Sequence, residues 1–131
     1  MFSAILITGG QSGHSYRVES YLKSAEIYRP SHDTSCTLPE LPQGRSGHTQ
    51  DGPWACGGGR DSSTERTCDK FSEGNWTRQS LNLRKERWGH MSWATASGLY
   101  LIGGYYSGNT SELVKENGTV VKGFPLKYDT M

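Results

Sequence analysis

Arg87-Trp88-Gly89-His90, followed by Leu99-Tyr100-Leu101-Ile102-Gly103-Gly104, is the stretch whose reading decides the fold. A short apolar run that stops on a glycine doublet reads as a strand ending where the backbone turns sharply, because glycine enters positive φ without steric cost. The same pairing occurs upstream. Arg45-Ser46-Gly47-His48 precedes Trp54-Ala55-Cys56-Gly57-Gly58, and Ile5-Leu6-Ile7-Thr8-Gly9-Gly10 supplies another doublet. The first glycines of the doublets lie 48 and 46 residues apart. A fixed period in that range is the signature of an array of supersecondary units.

Each doublet leads into a polar loop, a short strand, a turn and a further strand. These strands are expected at Ser24–Tyr28 and Ser35–Leu38, at Thr67–Phe71 and Asn75–Ser80, and at Ser111–Val114 and Thr119–Gly123. Asn117-Gly118, between apolar runs, predicts a two-residue hairpin turn. From histidine to doublet is 9 residues in one unit and 13 in the next, which implies a longer hairpin around Ala94–Gly98. No stretch of useful length has helical periodicity. Leu38-Pro39-Glu40-Leu41-Pro42 fits neither a central strand nor a helix interior and reads as a link between units. The expected organisation is all-β, about 2.75 four-stranded antiparallel units. Their bounds are 1–43 (lacking its first strand), 44–84 and 85–131, with the cuts near Gly44 and Lys85.

Composition agrees. Leu, Ile, Val and Phe make only 21 of 131 residues, too few for a conventional core, yet a net charge of +1 argues against disorder. Seventeen Gly, four Trp and seven Tyr suit short strands and tight turns. The near-neutral balance gives no long-range pull towards nucleic acid. The longest near-apolar run, Ala4–Ile7, falls far short of a membrane span, and there is no signal peptide. Even so, three of the four Asn open an Asn-x-Ser/Thr sequon: Asn75, Asn109 and Asn117. With three Cys in no zinc-like pattern, this points to a secreted or extracellular chain with disulfide chemistry. The odd Cys count places a partner for Cys36 outside this chain. The start in mid-strand, and the stop where another unit is due, read as a fragment of a longer protein.

The four-stranded period, the apolar strand ending in Gly-Gly and the downstream aromatics resemble the kelch repeat. In that pattern Tyr28, Phe71 and Val114 hold the first aromatic position. Cys36, Trp76 and Val120 or Val121 hold the second. The cysteines and Cys36-Thr37-Leu38-Pro39-Glu40-Leu41-Pro42 look like divergent, secreted-type invertebrate kelch proteins. The resemblance implies a partial β-propeller whose blades bury one another's faces. Gly9, Gly10, Gly57, Gly58, Gly103, Gly104, Arg45, His48, Arg87 and His90 are then structural repeat residues, with each Arg and His tying a blade's first strand to its neighbours. Propellers take four to eight blades. This chain therefore fits a piece of a longer protein, a ring completed by self-association through blade edges, or an open array.

Candidate chemistry is sparse. His48 and His90 hold repeat-equivalent positions, so repetition explains them better than metal ligation, and His14 and His32 lie in polar loops. Gly57-Gly58-Gly59 lacks the Gly-Lys-Ser/Thr of a phosphate loop. No Gly-x-Ser-x-Gly elbow occurs. A kelch-type copper oxidase would need a Tyr, a Cys and two His at a common axis, and nothing marks that set. Cys56 and Cys68 sit on adjacent strands and are preferred as a disulfide over pairing of either with Cys36. Trp54 and Trp76 belong to the packing; Tyr105 and Tyr106 are the best exposed contacts. The leading expectation is a non-catalytic binding module without a cofactor, taking a protein or glycan through the loops Gln11–Lys23, Gly59–Arg66 and Tyr105–Asn109. Arg17, Glu19 and Lys23 would make its polar contacts. The alternatives are blades of a catalytic propeller and a non-functional gene fragment.

Overall fold

The computed structural model describes residues 4–11, 21–60, 63–105 and 107–127. Arg17, Glu19 and Tyr106 lie outside the described residues, as does His14. Thirteen short strands and no helix are present among the described residues. The first sheet is β1 (Ile5–Thr8), β2 (Ala25–Arg29) and β3 (Thr34–Leu38), in that order. The second is β4 (Thr49–Asp51), β5 (Trp54–Cys56), β8 (Cys68–Ser72) and β9 (Asn75–Arg78). The third is β10 (Met91–Thr95), β11 (Gly98–Ile102), β12 (Ser111–Val114) and β13 (Val120–Lys122). Every pairing is antiparallel, and strands that pair follow one another in sequence except β5 and β8, between which a small antiparallel ribbon, β6 (Gly59–Arg60) with β7 (Ser63–Thr64), is inserted. That ribbon occupies a segment the sequence reads as a plain loop.

Turn chemistry sets the registers. Between β8 and β9 the two-residue loop Glu73-Gly74 has both residues at positive φ, 51° and 83°, the geometry that matches strand twist. The β12–β13 hairpin differs from its sequence reading. Lys115 N–H donates to the Thr119 carbonyl (2.8 Å) and Gly118 N–H to the Lys115 carbonyl (2.9 Å), so three residues form the loop. Gly118, at φ 87°, takes the left-handed position closing a three-residue turn, and Asn117 is a turn residue ahead of it. The hairpins also set cross-strand partners at equivalent places. Ser35, not Cys36, stands opposite Tyr28, and Val120 stands opposite Val114, as Trp76 does opposite Phe71.

Cores form between sheets. Ala25 and Leu41 meet Ala55 and Trp76, with Leu6, Leu38 and Phe71 around them, between the first and second sheets. Trp54, Cys56 and Cys68 meet Leu99, Leu101 and Val114, with Leu81 and Leu83, between the second and third. Alternation along β5 explains the split: Ala55 faces one neighbour, Trp54 and Cys56 the other. This is how 21 large apolar residues suffice. No sheet needs a thick core of its own when its inner face is covered by the neighbouring sheet.

Candidate functional site

The buried charged groups come first, because a candidate site must draw on them. Arg45 and Arg87 are fully buried. Arg45 Nε donates to Asp69 Oδ2 (3.0 Å), Nη1 to the Gly57 and Thr67 carbonyls (2.8 and 3.1 Å), and Nη2 to Thr67 Oγ1 (2.8 Å). Arg87 repeats the set: Glu112 (2.7 Å), the Gly103 and Thr110 carbonyls (both 2.9 Å) and Thr110 Oγ1 (2.9 Å). Each guanidinium thus clamps the glycine-doublet strand and the following strand of its own sheet. Burial lowers the Arg45 pKa, and the facing Asp69 carboxylate opposes that pull. Asp69 also accepts from Arg78 Nε (2.8 Å), whereas Glu112 has the backbone N–H groups of Arg84 (2.7 Å) and Lys85 (3.4 Å).

The histidines work between sheets. His48 Nε2 lies 3.0 Å from Thr8 Oγ1 on the first sheet, and His90 Nε2 lies 2.9 Å from Thr49 Oγ1 on the second. The doublets make room for them. A Cβ on Gly57 would lie 2.8 Å from the His90 ring and 2.9 Å from the Arg87 carbonyl, and one on Gly9 would meet His48 and Arg45 in the same way. Gly10 and Gly58 N–H donate to the Arg45 and Arg87 carbonyls, both at 2.7 Å. Burial, then the charge of Arg45, pushes the His48 imidazole down to about 4; burial, then Arg87, pushes His90 to about 4. The arginine side chain thus acts within its own sheet, while its backbone carbonyl and the histidine ring reach the preceding one.

The carboxylate partners escaped the sequence reading, although a signal exists. Ser24-Ala25-Glu26, Thr67-Cys68-Asp69 and Thr110-Ser111-Glu112 form a Ser/Thr-x-Asp/Glu repeat at equivalent register. So did three leucines. Leu41, Leu83 and Leu126 each donate a backbone N–H to an equivalent carbonyl, those of Lys23, Arg66 and Asn109, at 2.7–2.8 Å. Leu41 and Leu83 are buried plugs between sheets.

Cys56 and Cys68 are cross-strand partners joined as a disulfide, their Cα atoms 4.1 Å apart, and both are fully buried. Neither has a sulfur free for a Tyr–Cys link. Cys36 is a free, exposed thiol. No three His, Cys, Asp or Glu side chains among the described residues converge as metal ligands would.

What faces solvent is aromatic. Trp54 and Trp76 are buried, while Trp88 and Trp93 are 37% and 58% exposed. Trp88 sits beside the exposed Tyr105, ring centroids 5.5 Å apart, and Tyr105 N–H donates to the Trp88 carbonyl (2.8 Å). The Trp88 indole lies against the Gly47 backbone, where a Cβ would come within 2.4 Å of it. The pair is held at the glycine-doublet ends of the sheets. No family model and no curated protein matches this chain. Its exposed groups must therefore be read on their own terms. Lys23 is exposed where the loop returns to β2, its carbonyl already accepting from Leu41. Asn75, Asn109 and Asn117 are all exposed, at or beside turns.

Proposed function

We propose that the three sheets are kelch-like blades of a β-propeller and that the chain is a non-catalytic binding module of the extracellular space. Its contact surface is centred on Trp88 and Tyr105 and takes a partner protein or a glycan. The observation that carries this reading is the division of labour among side chains. The buried ionic and imidazole groups are consumed in holding strands and sheets together, whereas Trp88 and Tyr105 are half-exposed, face solvent as a pair, and sit on a backbone fixed by glycine contacts. Rigid aromatics offered on loops of a fixed scaffold gain contact area at little entropic cost. An oxidising compartment is supported by the buried disulfide and by the exposed sequons; no described helix is long and apolar enough to cross a membrane.

The test is a glycan array and an extracellular-protein array probed with the wild-type chain and with Trp88→Ala/Tyr105→Ala. Ligands captured by wild type should lose at least about tenfold in affinity in the double variant, as loss of a contact hot spot does, at unchanged far-ultraviolet circular dichroism. Ligands retained equally by the variant would remove this surface from the reading.

A further inference from the structure

The two outermost sheet faces are unequal to the inner ones in only one respect: nothing covers them among the described residues. Cross-strand partners share a face. On the outer side of the third sheet this places Met91 with Ile102, and Trp93 with Tyr100 and Leu113. Trp93 stacks on Tyr100 at 5.8 Å, and Phe124 leans on Tyr100 at 5.6 Å. Met91, Trp93 and Phe124 are 67%, 58% and 41% exposed. The outer side of the first sheet carries Ile5 with Tyr28 and Ile7 with Glu26, the isoleucines 50% and 45% exposed. Contiguous apolar surface of this kind marks an interaction site.

Repeat equivalence says what covers it. Leu41 caps the first sheet and is sealed by the second; Leu83 caps the second and is sealed by the third. Leu126 is held over the third sheet by the same backbone hydrogen bond, but is only half-buried. The third sheet thus presents a receiving face built like the two already filled. The front faces of the second and third sheets, bearing Ala55 with Phe71 and Leu101 with Val114, fill those two sites. Among the described residues one front face is left open, that of the first sheet. Its Glu26 is exposed and has no ion pair among the described residues, while the equivalent Asp69 and Glu112 are fully buried.

We infer that the receiving face of the third sheet (Met91, Trp93, Tyr100, Phe124, Leu126) takes the front face of the first sheet (Ile5, Ile7, Tyr28) of a second copy of this chain. The contact is head-to-tail, so copies continue the stack across sheet faces rather than by pairing strand edges. A heterologous contact that closes gives a ring of few copies. This inference rests on the stacking of sheets alone and is independent of any ligand at Trp88 and Tyr105.

The experiment is light scattering of the unreduced wild-type chain, of Ile7→Lys, of Trp93→Lys, and of the two variants mixed. Ile7→Lys places a cation opposite Glu26, and Trp93 is mostly solvent-exposed, so both should keep the native circular dichroism; Ile5→Lys and Met91→Lys replace either that does not. Wild type should run as a small multiple of its 14.5 kDa. Each variant alone lacks one side of every head-to-tail contact and should stay monomeric at concentrations at least tenfold above those at which wild type associates. The mixture should form a dimer of one of each, joining the intact tail of Ile7→Lys to the intact head of Trp93→Lys. A monomeric wild type, an Ile7→Lys assembly as stable as wild type (tail-to-tail pairing), or a mixture that gains no mass would each overturn the inference.

Discussion

At the residue scale the two arginine clamps look alike but differ in what remains when the cation is removed. Arg45→Met leaves Asp69 still paired with Arg78 at 2.8 Å. Arg87→Met leaves Glu112 buried with backbone donors and no cation in hydrogen-bonding range among the described residues. An uncompensated buried charge costs about 3–5 kcal/mol. Urea denaturation should therefore show Arg87→Met losing stability in that range and Arg45→Met losing less. Adding Glu112→Gln to Arg87→Met should restore part of the loss, because the stranded charge is gone; no recovery would mean that the carbonyl contacts, not the ion pair, dominate. The histidines make a separate prediction. Their folded pKa values, about 4, lie below the ordinary 6.5, so the unfolded chain binds more protons between those limits. Stability is then full above pH 6.5 and falls as the pH drops towards 4, by up to about 3 kcal/mol per histidine. Denaturation midpoints compared at neutral and mildly acid pH should show that fall, and His90→Gln should flatten it; an unchanged slope in the variant would assign the acid sensitivity to other groups.

At the element scale, the sequence discloses strands well where a hairpin or a doublet punctuates them. Ser111–Val114 is read to the residue, and Leu99–Ile102 within one. It discloses poorly whatever depends on a tertiary partner. The β6–β7 ribbon consists of two-residue strands with no alternation to detect. Leu41, Leu83 and Leu126 are leucines in irregular segments, and only the sheet packed beyond them gives them meaning. Asn117-Gly118 carries the right turn signal, but loop length depends on which bonded pair closes the hairpin, here Lys115 with Thr119. The exposed Trp88–Tyr105 pair is half legible: each aromatic stands out singly, but their juxtaposition depends on the backbone bond from Tyr105 to Trp88. The β5–β8 pair makes this scale's prediction. Its disulfide spans 12 residues and closes the loop that holds the ribbon, so reduction should cost about 3 kcal/mol. Unfolding with and without a thiol reductant measures it. No change would mean that sheet hydrogen bonds and the core around Trp54 already fix this loop.

At the scale of the whole molecule, the two cores lie between successive sheets, the first with the second and the second with the third. Stability in such an array is approximately the sum of unit terms and nearest-neighbour interface terms. The three leucine plugs isolate the interface terms, since they share one backbone geometry and differ in what covers them. Leu41→Ala and Leu83→Ala each empty a sealed site and should each cost about 2–5 kcal/mol. Because they sit in different interfaces, their effects should add within about 0.5 kcal/mol. Leu126→Ala removes a half-buried side chain and should cost the isolated chain under about 1 kcal/mol, following the apolar area it keeps from water. Urea denaturation at low protein concentration measures all three. The same Leu126→Ala chain, raised to concentrations where wild type associates, should lose assembly as well. A Leu126→Ala cost equal to that of Leu83→Ala in dilute monomer would show that the third plug is already sealed within one chain, leaving the outer face of the third sheet with no call on a second copy.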